Sequence, residues 1–340
     1  MKPKDLMPED MLPKGLMPEE MTPEELEQMR EMIRLDNLKQ SYISAISFDI
    51  DAPYDENYEP WILEPLIPFE AITIIDGLGG SGKSWFALDI AYSIGLGKDF
   101  LGMFPVRRSG TVLYLTAEEV PQMFLHRLKA IRSYYEANMN FAWISLLDKR
   151  LELSPYLCRR IKGSQIVTDM AKVLEWLIDE VKPVLVILDA FVNFYGLDEN
   201  DSEDTMFFYD VLKHLMRKYE TAFLLLHHQN KEGMRSQSDD VISFRGSGVL
   251  REQARSRIIY KHKKLDENVT GRKIIIEKSN YYSKLKDQYK LSDGMYLTFN
   301  EGKHEYNEDF HDWAMLKEEE AKKKGNKKKE DKHGNYRAEL

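Results

Sequence analysis

The middle of the chain alternates between short apolar runs and longer amphipathic ones. Runs rich in Val, Ile and Leu predict strands near 71–76, 111–117, 141–146, 183–189 and 221–227. Between them, helices are predicted near 82–96, 120–136, 167–181 and 203–219. Strands that are apolar on both faces need cover on both, and helical crossovers supply it. The alternation therefore predicts an α/β fold: a mostly parallel sheet flanked by helices. After about residue 255 the pattern changes. Ser256–Tyr260, Lys273–Glu277 and Met295–Phe299 read as three strands joined by short polar turns, an antiparallel C-terminal extension of the same sheet.

The ends of the chain read differently. Pro3, Pro8, Pro13, Pro18 and Pro23 recur every fifth residue, which forbids a continuous helix and predicts a disordered arm over 1–25. A helical pattern follows to about Lys39, with Leu26, Met29 and Ile33 on one stripe. That helix either packs on its own domain, the favoured reading, or docks on a neighbouring subunit. Residues 41–70, with four prolines, read as loop, so 26–60 is taken as helix and linker. Tyr54, Tyr58 and Trp61 are candidates to stack on an adenine or to cover the core, and core cover is favoured. Residues 61–305 form the main domain. Residues 306–340 form a charged tail, and its Lys- and Glu-rich stretch from 317 onward is expected to be solvated and frayed.

Composition narrows the classes. A single cysteine, Cys158, excludes an intrachain disulfide and any multi-cysteine zinc site, and suits a reducing cytoplasm. The start of the chain does not read as a signal peptide, and no apolar run approaches membrane-spanning length. A formal net charge of −9 gives no global attraction to nucleic acid.

The chemistry is concentrated at Gly77-Leu78-Gly79-Gly80-Ser81-Gly82-Lys83-Ser84, which fits the phosphate-binding pattern of glycine, four free positions, then Gly-Lys-Ser. A predicted strand precedes it and a predicted helix, opening at Trp85, follows. Glycines let successive N–H groups point at phosphate oxygens, and the helix N-terminus adds partial positive charge. Lys83 is the candidate for the β- and γ-phosphates of ATP, and Ser84 for Mg²⁺. Further strands end in polar groups. Asp189 closes an apolar strand and is a second candidate Mg²⁺ ligand. Glu118 and Glu119 close another, and one of them is placed to take a proton from an attacking water. His227 and His228 close a third, where a polar group can sense the γ-phosphate. Arg245, Arg251 and Arg255 follow, and an arginine supplied by a neighbouring subunit can stabilise the transferred phosphoryl group.

In this order, Trp61–Pro68, the glycine loop, Gly97–Gly102, Leu113–Glu118, Asp189, Asp198–Asp201, Leu226–His228, Lys231, Arg245-Gly-Ser-Gly, Arg255 and Lys278–Tyr281 resemble RepA-like proteins. These are plasmid and phage replicative helicases and their relatives, with a RecA-like P-loop core. The likeness covers roughly residues 60–300. It implies a cytoplasmic, ATP- and Mg²⁺-dependent homo-oligomeric ring, a hexamer, with active sites between subunits. It also implies a partner, single-stranded DNA, and no membrane. Glu118 looks like the catalytic glutamate, with Glu119 second, and Asp189 like the Mg²⁺ aspartate. His227 or His228 looks like the γ-phosphate sensor, Arg255 like the finger acting in trans, and Lys278 like a second residue reaching across. The loop at about 229–244 corresponds to the one lining the DNA channel, with Lys231 and Arg235 as phosphate contacts.

Overall fold

Buried strands need partners on both edges, and here nine of them join one sheet. A computed structural model describes residues 22–44, 57–135, 140–228, 248–279, 289, 293–300 and 302–335, the last dozen of these as backbone only. The chain divides into two units at Tyr58/Glu59. The described part of the first is helix α1 (Pro23–Ser44). Thr22 and Glu25 start it with a reciprocal capping box. The Thr22 backbone N–H donates to the Glu25 carboxylate at 2.8 Å, and the Glu25 N–H donates back to Thr22 Oγ1 at 3.3 Å.

The second unit opens with a small hairpin, β1 (Trp61–Leu63) and β2 (Ile67–Pro68), where loop was expected; every residue of both strands is buried. Trp61 belongs to the core, whereas Tyr58 is exposed. Tyr54 lies outside the described residues. The alternation then follows: β3 (Ile72–Gly77), α2 (Lys83–Leu96), β4 (Val112–Thr116), α3 (Pro121–Tyr135), β5 (Phe141–Ser145). A second unexpected hairpin, β6 (Cys158–Ile161) and β7 (Ser164–Val167), precedes α4 (Asp169–Val181) and β8 (Leu185–Asp189). The short α5 (Val192–Tyr195), α6 (Ser202–Tyr219), β9 (Ala222–His228) and α7 (Gly248–Gln253) come next. Last are β10 (Ser256–Lys264), β11 (Thr270–Ser279), β12 (Met295–Asn300), β13 (Lys303–Glu305) and α8 (Glu308–Asn335). The stretch from 317, expected as a frayed tail, is a continuation of this helix as far as Asn335. Its first turns are anchored: Ala314 is fully buried, and Glu318 pairs with the buried Lys273 of β11.

The sheet order is β13-β12-β11-β10-β3-β9-β8-β4-β5. The six strands from β10 to β5 are parallel, and β11 to β13 extend one edge antiparallel; Ser256–Tyr260, expected as the first antiparallel strand, instead runs parallel to β3 as β10, and β13 is a further strand the sequence pattern did not mark. One apolar cluster lies on each face. Phe86, Ile90 and Ile94 of α2 fill one; Leu174 and Ile178 of α4, with Phe208 and Leu212 of α6, fill the other. The fold is thus the mixed α/β architecture of a P-loop ATPase, its helices covering both faces as an apolar parallel sheet requires.

The acidic stretch between α5 and α6 has structural work. Asp201 caps α6 by accepting from the N–H groups of Glu203 and Asp204. Asp204 is buried and accepts from Arg160 and Gln165 of the β6–β7 hairpin, both at 2.5 Å. A second buried polar chain joins α2 to the sheet edge. Asp89 accepts from the His304 N–H and sits 2.7 Å from His304 Nδ1; it also accepts from the Tyr135 hydroxyl at 3.1 Å. Tyr260 Oη lies 2.7 Å from His304 Nε2. Removing one partner from such a buried cluster strands the others. Asp89→Ala is expected to lower stability by about 3 kcal/mol, read as a fall in the urea midpoint, and Tyr135→Phe by about 1 kcal/mol. An unchanged midpoint for Asp89→Ala would show that the chain carries no stability.

Candidate phosphate-binding site

Because the parallel strands run the same way, their carboxyl ends share one edge, and the site is built there. Gly77 of β3 lies opposite His228 of β9, Asp189 of β8 opposite Leu226 of β9, and Thr116 of β4 opposite Asp189. The glycine loop, Glu118, Asp189 and His228 therefore line one edge.

The loop needs its glycines at specific points. A Cβ at Gly77 would stand 2.5 Å from the Tyr260 carbonyl oxygen, so only glycine lets β3 end against β10 there. Gly80 and Gly82 have φ of +72° and +105°, which side chains rarely tolerate. Gly82 leads directly into α2 at Lys83, while Gly79 and Gly80 are exposed at the tip and Ser81 is buried with its N–H 3.2 Å from the Leu78 carbonyl.

Lys83 folds back into its own loop. Its Nζ donates to the carbonyls of Gly77 and Leu78, each at 2.9 Å, and lies 3.1 Å from His228 Nδ1. His228 Nε2 lies 2.9 Å from Glu118 Oε1, so Lys83, His228 and Glu118 form one polar chain over the loop. Burial pulls the Lys83 ammonium down to about 8, partly opposed by Asp189, Glu118 and Asp76. Glu118 is held below the usual carboxylate value, chiefly by its hydrogen bond with His228, and stays ionised at neutral pH.

The paired candidates separate cleanly. Glu118 faces the loop, whereas Glu119 turns away to an ion pair with Arg127 of α3. His228 meets Lys83, whereas His227 is buried and bonds elsewhere: its Nδ1 lies 2.6 Å from Asp76 Oδ1. β9 alternates its faces, so His227 and His228 cannot both face the loop, whereas Glu118 and Glu119 lie in the bend just beyond β4. Asp76 also pairs with the buried Arg257, which in turn pairs with Glu277. His227 thus belongs to a polar network below the loop, and of the two candidates, His227 or His228, it is His228 that stands at the loop.

Asp189 is buried beside Ser84, whose hydroxyl bonds its carboxylate; burial raises its pKa, opposed by Tyr114 and Ser84. The Tyr114 hydroxyl donates to Asp189 Oδ2 at 2.6 Å. A hydroxyl and a carboxylate are hard oxygen donors, and two protein ligands plus substrate phosphate suit Mg²⁺. No cluster of three or more His, Cys, Asp or Glu side chains marks another metal site among the described residues. Trp85 packs between Arg127, whose Cζ is 5.0 Å from the ring, and Phe299, with ring centroids 6.1 Å apart.

The trans candidates lie elsewhere. Arg255 is exposed, and its N–H donates to the Ile72 carbonyl at the other end of β3 from the loop. Lys278 Nζ donates to the carbonyls of Arg251 and Glu252, closing α7. Lys231, Arg235 and Arg245 lie outside the described residues. Tyr114 and Arg127 were missed by sequence reasoning. A hydroxyl at the centre of the apolar run Val112–Thr116 is the only signal Tyr114 gives, and Arg127 has none beyond its place on a helix.

The depressed Lys83 value has a consequence for binding. A bound phosphate favours the ammonium, so nucleotide binding above the free value must draw in a proton. Calorimetry of ADP binding in buffers of different ionisation enthalpy is expected to show proton uptake at about pH 9 and none at about pH 7. Equal enthalpies in all buffers at the higher pH would contradict it.

A family model described as an AAA domain matches residues 47–234, which include the glycine loop, Glu118, Asp189 and both histidines. Among the described residues no helix is long and apolar enough to cross a membrane. With more than half of its length matched, and with the glycine loop, buried lysine and strand-end acids in register on a parallel sheet, the chain belongs to this AAA-domain family of P-loop ATPases.

Proposed function

We propose that the chain hydrolyses ATP as a subunit of a homo-oligomeric ring, a hexamer, that translocates on single-stranded DNA during replication of a mobile element. The observation that carries the hydrolytic part is the Lys83–His228–Glu118 chain over the glycine loop, beside Asp189 and Ser84. The triphosphate takes the Lys83 ammonium from the Gly77 and Leu78 carbonyls. Ser84 and Asp189 hold Mg²⁺, which when bound neutralises charge on the phosphates. Glu118, kept ionised, accepts the proton of the attacking water. His228 touches both Lys83 and Glu118, so a shift of the lysine toward phosphate reaches the base through one imidazole.

Two features support a ring. Arg255 is exposed and lies at the opposite end of β3 from its own loop, so the phosphate it serves is a neighbour's. Lys278 and Arg251 stand near it as further positive charge. The DNA part rests on the order of motifs shared with RepA-like helicases and on Lys231 and Arg235 in the sequence that follows β9. The acidic residues 198–204 do not count against it, because Asp201 and Asp204 are occupied in capping α6 and holding the β6–β7 hairpin. The second reading, an ATP-dependent regulator or scaffold that moves no DNA, is separated from the first by turnover.

Glu118→Gln is expected to bind ATP within a few-fold of wild type and to hydrolyse it about 10²–10⁴ times more slowly; full turnover would remove Glu118 from the base role. Single-stranded DNA is expected to raise wild-type turnover, the effect fading as salt rises. Hydrolysis indifferent to DNA at low salt would favour the regulator.

A further inference from the structure

Strands β10 and β11 continue as a hairpin past the end of β3, and β11 carries Arg272 opposite His262. A methyl group placed on Gly82 would lie 3.2 Å from the Tyr260 hydroxyl and 3.8 Å from Arg272 Nε. The guanidinium therefore stands beside the residue that leads into α2, at the flank of the phosphate cradle. Arg272 is partly buried, and its Cζ lies 5.1 Å from the Phe299 ring centroid. Its Nε is buried with the Tyr260 hydroxyl as its polar neighbour, in a geometry too poor for a full hydrogen bond, and no carboxylate among the described residues pairs with the guanidinium. A partly buried guanidinium with no anionic partner needs a reason.

The sheet order says which part of a nucleotide meets this group. His228, Asp189 and Glu118 follow β9, β8 and β4, on one side of the loop; Arg272 and Phe299 lie on β11 and β12, on the other. A triphosphate lying along the loop with its reacting γ-phosphate at Glu118 extends its α-phosphate toward β11. The geometry points to Arg272 as an α-phosphate ligand supplied in cis by the antiparallel extension, with Phe299 as the flat surface that holds the guanidinium. The planar fork of arginine suits two phosphate oxygens. This rests on the nucleotide-binding reading of the loop and adds to it a binding residue outside the glycine motif. Arg272 sits away from the reacting phosphate, so it acts on affinity and not on turnover.

The test is calorimetric titration of ADP and of ATP into the full chain, with steady-state hydrolysis alongside. ADP carries the α-phosphate but no γ-phosphate, so it reports this contact independently of hydrolysis. Arg272→Gln is expected to weaken ADP and ATP alike by roughly 10- to 100-fold, raising KM with kcat within about twofold of wild type. Arg272→Lys keeps the charge and loses the fork, and is expected to fall between. Wild-type ADP affinity in Arg272→Gln, or a loss confined to ATP, overturns the assignment while leaving the loop reading intact. Failure of the wild-type chain to bind ADP overturns both. Should Arg272→Gln melt below wild type without nucleotide, Arg272→Lys decides: intermediate affinity supports the forked contact, and full affinity overturns it.

Discussion

A parallel strand cannot pair with its sequence neighbour through a tight turn; each must be reached by a crossover over one face of the sheet. That constraint places the carboxyl ends of β10, β3, β9, β8, β4 and β5 on one edge. Residues separated by more than a hundred positions then become neighbours: Lys83 and His228 within one hydrogen bond, and His228 and Glu118 within another. The crossovers also bring helices to both faces, which is why α2 can start at the phosphate loop and still bury its length in the core.

Beneath the loop lies a second polar layer. Asp76, His227, Arg257 and Glu277 come from β3, β9, β10 and β11, and Asp76 and Arg257 are almost wholly shielded from water. Apolar side chains at these positions would be no less stable by burial alone, because desolvating charges is costly. What the network adds is fixed relative placement of four strands directly under Gly77. The Tyr260–His304–Asp89–Tyr135 chain does the corresponding job between β10, β13, α2 and α3.

Much of this was legible in the sequence, for identifiable reasons. The parallel strands are apolar on both faces and the helices between them are long, so periodicity separates them. The glycine loop announces itself because its backbone conformation admits few alternatives. Three strands beyond Ser256 were visible as apolar runs, but their direction was not, since the first of them, β10, pairs parallel with β3. The two hairpins at 61–68 and 158–167 were not, because strands of two to four residues give too short a pattern and Pro65 and Pro68 read as loop. The helix beyond 317 was missed because a run of Lys and Glu lacks an apolar stripe, although such residues favour helix. Within the site, strand alternation separates His228 from His227 and the bend after β4 separates Glu118 from Glu119, but which of each pair faces the loop depends on how β9 and β4 sit against β3 and β8. Asp189 and Ser84 needed only position. Arg127 and Arg272 needed the tertiary fold.

The lysine of the loop has protein partners of its own. Lys83 reaches two carbonyls of its own loop and an imidazole, so a phosphate that takes it has these to displace. Arrival and departure of a nucleotide are therefore exchanges between acceptors. A leaving phosphate does not abandon a bare ammonium in a dry cleft, which removes one of the largest electrostatic brakes on product dissociation. The same self-contact competes with weak stray anions, which must displace three acceptors to gain one. A site built this way trades some tightness for speed of emptying, which suits an enzyme that must be vacated at every cycle.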